Sequence, residues 1–139
     1  MKFTGLLACL VALAPVALSQ QVSWDSAYDN ANQSLATVAC SDGVNGLMTK
    51  GYTTFGSLLT FPYIGGAQAI AGWNSASCGT CWNITYGTTT ITVLAIDHAG
   101  SGFNIGEEAM NTLTGGYAVE YGIVQATTST QVAAGACGL

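Results

Sequence analysis

Five cysteines in 139 residues set the first constraint, because their number becomes even only if the N-terminus is removed. Met1-Lys2 supplies a positive start, Leu6 to Leu18 is almost wholly apolar, and Ala17-Leu18-Ser19 puts small residues before a cleavage point. That three-part layout belongs to a secretory signal peptide. The apolar run is too short to span a bilayer, and Pro15 interrupts it. Residues 1–19 are therefore read as a signal peptide and 20–139 as one mature domain. Cys9 leaves with the signal. Cys40, Cys78, Cys81 and Cys137 remain, an even set that reads as a disulfide framework with three connectivities open.

Cys78-Gly79-Thr80-Cys81 invites two rival readings. Zinc would need two further thiolates or imidazoles at matching spacing, but His98 is the only histidine and the other cysteines stand far off. A redox dithiol should open a helix, whereas Cys81 leads into Trp82-Asn83-Ile84-Thr85-Tyr86, which alternates like a strand. Structural disulfides are the better reading, and no metal or cofactor is expected. In the chain-entropy model a local Cys78–Cys81 link contributes about 2 kcal/mol and a long loop about 4 kcal/mol, which does not by itself dictate the pairing.

Charge excludes several function classes. Charged residues are 6% of the chain, net −5, with Lys2 and Lys50 the only basic residues. Nucleic acid binding needs a basic patch to displace phosphate counterions, and a polybasic membrane anchor needs the same. Neither partner is expected. Half the residues are apolar, so a core is affordable and disorder is not expected.

No linker, repeat or charge block divides the mature chain. Val22-Ser23-Trp24 reads as an opening strand and Thr37–Cys40 as a short second one. Phe55–Ile64 reads as irregular, broken by Pro62 and Gly65-Gly66. Cys81–Tyr86 and Thr88–Ile96 read as a strand pair joined at Gly87. One helix is expected, with Asn104 as its cap, Glu107 completing a capping box, and Ala109, Met110 and Leu113 as its apolar face, stopped by Gly115-Gly116. Val119–Thr127 reads as a late strand, with another near Gln131-Val132. The fold class is mainly β, a barrel with a small helical component.

With little charge to steer partners, recognition must rest on hydroxyls, amides and aromatic faces, a kit that suits uncharged polysaccharide. Trp24, Tyr28, Trp73, Asn74, Phe103 and Asn104 are candidates on that ground, although Trp and Tyr in small β domains are more often core residues. Asp97 is the most informative residue. It ends the apolar run Val93-Leu94-Ala95-Ile96 and precedes Ala99-Gly100-Ser101-Gly102, a loop expected to leave space above it. A carboxyl there suits a general acid, a ligand acceptor or a turn-closing residue. A glycosidase needs a second carboxyl at a set separation. Glu107 and Glu108 are accounted for by the helix start, and Asp25, Asp29, Asp42 and Glu120 carry no motif. His98 reads as a surface imidazole. Asn32-Gln33-Ser34 and Asn83-Ile84-Thr85 are sequons, making Asn32 and Asn83 candidate glycosylation acceptors.

Several blocks stand in register with a known family. Cys40-Ser41-Asp42-Gly43-Val44-Asn45-Gly46-Leu47, Phe61-Pro62-Tyr63-Ile64-Gly65-Gly66, Ala71-Gly72-Trp73-Asn74-Ser75 with Cys78-Gly79-Thr80-Cys81-Trp82, and Ile96-Asp97 with Gly102-Phe103-Asn104-Ile105 resemble the cerato-platanins, small secreted fungal proteins. The resemblance runs from about Val22 to Cys137, and Trp24 departs from it where the family usually has Tyr. It implies a six-stranded double-psi β-barrel related to the first domain of expansins and to barwin-like proteins, with Cys40–Cys78 and Cys81–Cys137 disulfides. It implies binding of chitin or N-acetylglucosamine oligomers in a shallow groove and non-hydrolytic, expansin-like loosening of cell-wall polysaccharide. It also implies an elicitor or immunomodulatory role through a host immune receptor, and a location outside the cell or in the fungal wall. Asp97 matches the family's groove aspartate. The carbohydrate-binding set expected with it is Asp25, Asp42, Trp73, Asn74, Phe103 and Asn104. A monomer is expected, with self-assembly at surfaces as a structural alternative and weak glycoside hydrolysis as a catalytic one.

Overall fold

The computed structural model describes residues 20–139; the signal-peptide reading of 1–19 lies outside the described residues. Seven strands form one nearly closed, barrel-like sheet. They are β1 (Gln20–Trp24), β2 (Ile64–Ala67), β3 (Cys81–Tyr86), β4 (Thr89–His98), β5 (Phe103–Ile105), β6 (Ile123–Ala126) and β7 (Thr128–Val132). Their order is β6-β1-β5-β2-β4-β3-β7. β1 runs parallel to β5 and β2 parallel to β4, while β2 and β5 meet antiparallel. These interlocked parallel pairs are the double-psi pattern. Where six strands are expected there are seven, because β6 and β7 are separated by Thr127 alone. β6 pairs with β1 and β7 with β3, so this one segment bridges both ends of the sheet, and Thr127 N–H donates to the Thr85 carbonyl at 2.7 Å.

The β3–β4 hairpin has the alternation that its sequence predicts. Ile84 faces Ile91 and Trp82 faces Val93 across it, β-branched and aromatic partners that suit a pleated surface. Val22, Ile64, Ile84, Leu94, Ile96 and Ile105 are fully buried and form much of the core. Both long loops are cross-linked, Cys40 to Cys78 and Cys81 to Cys137.

Four local expectations are corrected. Thr37–Cys40 is not a strand: a 3-10 turn occupies Leu35–Thr37, and Cys40 N–H instead donates to the Ile96 carbonyl at 3.1 Å. Gly65-Gly66 lies inside β2 rather than breaking the chain. A Cβ at Gly65 would run into the Asn104 carbonyl, and one at Gly66 would sit 2.8 Å from the His98 carbonyl. Glycine is there for close strand approach. The stretch read as one late strand from Val119 begins as helix α2 (Ala118–Tyr121), and β6 follows Gly122. Lastly, helix α1 (Glu107–Thr114) is not capped by Asn104, which lies in β5. Gly106 is the N-cap position, and the helix start is bonded by a distant carboxylate: Asp29 accepts from Glu107 N–H at 2.7 Å and from Glu108 N–H at 3.1 Å. Gly115 closes the helix in the left-handed region, φ 72°.

Candidate functional site

Asp97 owes its position to an irregularity. β2 and β4 are in register at Gly65–Ala95 and again at Gly66–Asp97, so Ile96 is an extra residue on β4. Such a bulge bends its strand and re-aims the next side chain. The register then puts Asp97 in one row with Gly66, Asn104 and Ser23 across β4, β2, β5 and β1.

The Asp97 carboxylate does not face the Gly100–Gly102 loop as expected; it faces the segment between β1 and β2. Its Oδ1 accepts from Ala39 N–H at 3.0 Å and from His98 N–H at 2.9 Å, and its Oδ2 accepts from the Tyr28 hydroxyl at 3.0 Å. Around it lies an open cleft of about 220 Å³, lined by Asp25, Tyr28, Gln33, Thr37, Val38, Phe55 and Asp97. Tyr28 is buried and stacks on Phe55 with ring centroids 6.0 Å apart. Burial first, then the negative charge of Asp97 and its hydrogen bond, push the Tyr28 phenol well above its ordinary pKa. Tyr28 therefore stays protonated and donating. Three donors thus converge on Asp97 at the cleft wall.

Asp25 lies in the same cleft, at the end of β1, with Oδ1 accepting from Ala27 N–H at 2.9 Å. A second carboxyl is thus present where the sequence offered no motif for one. The remaining candidates lie elsewhere. Trp73 donates from Nε1 to Asp42 Oδ1 at 2.6 Å, and Asn74 Oδ1 accepts from Asn45 N–H at 2.9 Å, forming a second cluster. Phe103 is 3% exposed, edge-on to Trp82, in the lining of a separate cavity of about 430 Å³ with Gln20 and Gln68. Asn104 accepts from the Ser23 hydroxyl at 3.0 Å, and Trp24 donates inward from Nε1 to the Ala118 carbonyl at 2.7 Å. Asn32 is exposed, while the Asn83 amide oxygen accepts from the Thr92 hydroxyl at 2.7 Å within the sheet. His98 is exposed, with Nδ1 2.6 Å from the Ile70 carbonyl.

Sequence reasoning missed Gln33, Thr37, Val38, Phe55 and the Ala39 amide. Their meeting with Asp97 depends on the Cys40 bond to β4 and on pairing between 33–35 and 53–55, where Phe55 N–H donates to the Gln33 carbonyl at 2.9 Å. No local motif signals such contacts. Among the described residues no group of His, Cys, Asp or Glu is arranged to hold a metal ion. No helix among them is long and apolar enough to cross a membrane.

Fold and site together define a small, disulfide-linked mixed β-barrel carrying a shallow cleft with acidic and aromatic walls. Residues 20–139 match the family model for Cerato-platanin. The heat-stable 19 kDa antigen of Coccidioides immitis is 42% identical over 146 residues, covering all of this chain and 99% of its own. The crystal structure of cerato-platanin 3 from M. perniciosa superposes with TM-score 0.83 at 51% identity, over 87% of this chain and 99% of that one. The solution structure of the fungal elicitor Cerato-Platanin gives TM-score 0.73 at 37% identity, over 84% and 95% of the two chains. The chain belongs to the cerato-platanin family, whose relatives here are fungal and are named as antigens and elicitors.

Proposed function

We propose that this protein is an exported, non-catalytic carbohydrate-binding protein. Its ligand is chitin or N-acetylglucosamine oligomers in the Asp97 cleft; it loosens wall polysaccharide without hydrolysis and is sensed by host immunity as an elicitor. The observation that carries the reading is the convergence of three donors on Asp97 at the wall of an open cleft. The carboxyl already receives Ala39 N–H and His98 N–H on Oδ1 and Tyr28 O–H on Oδ2, which leaves one acceptor direction, on Oδ2, for a sugar hydroxyl or acetamido N–H. Export rests on the signal-peptide layout of residues 1–19, and the immune role on the similarity to a heat-stable antigen and a fungal elicitor.

One observation favours a second reading, weak glycoside hydrolysis: Asp25 shares the cleft with Asp97. Both readings are tested on the same variants. Asp97→Ala should weaken chitin-oligomer binding about ten-fold or more, since a charge-assisted hydrogen bond contributes about 1.5–3 kcal/mol and 1.4 kcal/mol is a factor of ten. Asp97→Asn keeps one acceptor and should lose less. Unchanged affinity in Asp97→Ala, with only a lowered melting temperature, would reject the binding role. Release of reducing ends by the wild type that is abolished in both Asp25→Asn and Asp97→Asn would establish the hydrolase instead.

A further inference from the structure

The cavity of about 430 Å³ shares no lining residue with the Asp97 cleft, and no charged residue lines it. It opens where strand β1 begins, and Gln20, the first residue of that strand, forms part of its wall beside Trp82 and Phe103. Gln20 is held in the sheet from the outset. It pairs with Ala126 and Gln21 with Gln125 in β6, while Val22 pairs with Phe103 in β5 and is fully buried. A Cβ at Gly102 would run into the Gln21 carbonyl, so the chain is also packed from the β4–β5 side. A terminus is ordered when a sheet ties it down in this way. Sheet order therefore reaches the very residue that cleavage after Ser19 would make the N-terminus.

An N-terminal glutamine carries its own electrophile. The α-amine can attack the side-chain Cδ, so that an N–Cδ bond forms and the Cδ–Nε2 bond breaks. One amine hydrogen passes to the departing amide nitrogen, which leaves as ammonia. The product is a five-membered lactam, pyroglutamate, and no oxidant or cofactor is consumed.

Two features favour that product here. The Gln20 carboxamide makes no hydrogen bond within the described residues, whereas Oε1 of the neighbouring Gln68 accepts from Gly102 N–H at 3.0 Å. Nothing in the sheet thus holds the Gln20 amide away from its own amine. The second feature is the wall itself. An α-ammonium at the half-buried Gln20 would find no carboxylate in the cavity to pair with, and removing a charge from water without a partner is costly. The lactam is neutral, keeps one N–H and one carbonyl, and presents a compact ring to an aromatic wall.

We propose that the exported chain begins with pyroglutamate formed from Gln20, and that the lactam ring is seated in this cavity against Trp82 and Phe103. This rests on the export reading, with cleavage after Ser19. The modification leaves no α-amine for an aminopeptidase to hold, at the start of the strand that lies between β5 and β6. The test expresses the full-length precursor in a secreting fungal host, as wild type and as Gln20→Ala. Protein from the medium is sequenced stepwise from its N-terminus, and its N-terminal peptide is weighed. The wild type should be blocked to sequencing, with a peptide that starts at residue 20 and is lighter by one ammonia. Gln20→Ala should be open from the first cycle. Proton NMR of the wild type should show through-space contacts from the lactam ring to Trp82 or Phe103. A wild type that starts at Gln20 with a free amine would overturn the proposal and leave export standing, and so would a secreted chain that starts at another residue. A lactam with no contact to either aromatic ring would overturn its seat in the cavity. Absence of the protein from the medium would overturn the export reading and this one with it.

Discussion

Tyr28 and Asp97 are the two residues on which the site turns, and their bond makes a pH prediction. The phenol's pKa is raised in the folded protein, chiefly by burial and secondarily by Asp97. A raised folded pKa means that the unfolded state loses its proton first as pH climbs past about 10, after which the folded state binds more protons and stability falls with pH. The stabilisation is therefore complete below pH ~10 and is lost above it. Chemical denaturation of the wild type should show stability declining by up to about 1.4 kcal/mol per pH unit above 10. Tyr28→Phe should be less stable at neutral pH and show a shallower alkaline decline. An equally steep decline in Tyr28→Phe would contradict the assignment. At this scale the sequence was informative about identity and silent about direction. The apolar run Val93–Ile96 singled out Asp97, but the bulge at Ile96 that turns it toward Tyr28 and Ala39 depends on strand β2, which is distant in sequence.

Elements carry the same lesson in a different form. Helix α1 was legible from Ala109, Met110 and Leu113, all buried, and from the Gly115 stop. Its cap was not, because the two oxygens that satisfy Glu107 and Glu108 N–H belong to the carboxylate of Asp29, 78 residues before Glu107. The Asn104/Glu107 spacing fits a capping box, but β5 needs Asn104 as a ladder residue between β1 and β2. Long-range pairing outweighed a local motif there, as it did at Gly65-Gly66. Asp29 also follows Tyr28 directly, so one short turn anchors both the helix and the cleft wall. Asp29→Ala should cost about 1–2 kcal/mol, in line with loss of an N-cap, and lower the melting temperature by several degrees. An unchanged melting temperature would show that water replaces those bonds without loss.

For the whole molecule, cross-linking and closure matter most. The disulfides close two separate loops, with sequence separations of 38 and 56, each worth about 4 kcal/mol in the chain-entropy model. Against the usual total of about 5–15 kcal/mol for a folded domain, either is a large share. Denaturing alkylation should find no free thiol among Cys40, Cys78, Cys81 and Cys137, and reduction should unfold the protein or lower its melting temperature sharply. Two free thiols in native protein would contradict the framework. The mainly β class and the β3–β4 hairpin were legible because alternation is a local signal. Closure by the β6–β7 segment was not, since it is a relation between β1 and β3 that no local pattern encodes.

The central claim, that the Asp97 cleft binds glycan, is tested most directly by amide chemical-shift mapping during titration with N-acetylglucosamine hexasaccharide. Ala39 and His98 donate their amides to the Asp97 carboxylate, and Ala27 donates to Asp25. A sugar hydroxyl bonded to either acid alters those bonds, so these amides should show saturable shifts with one common dissociation constant. Saturable shifts confined to residues outside the cleft, or none at millimolar oligomer, would contradict the account.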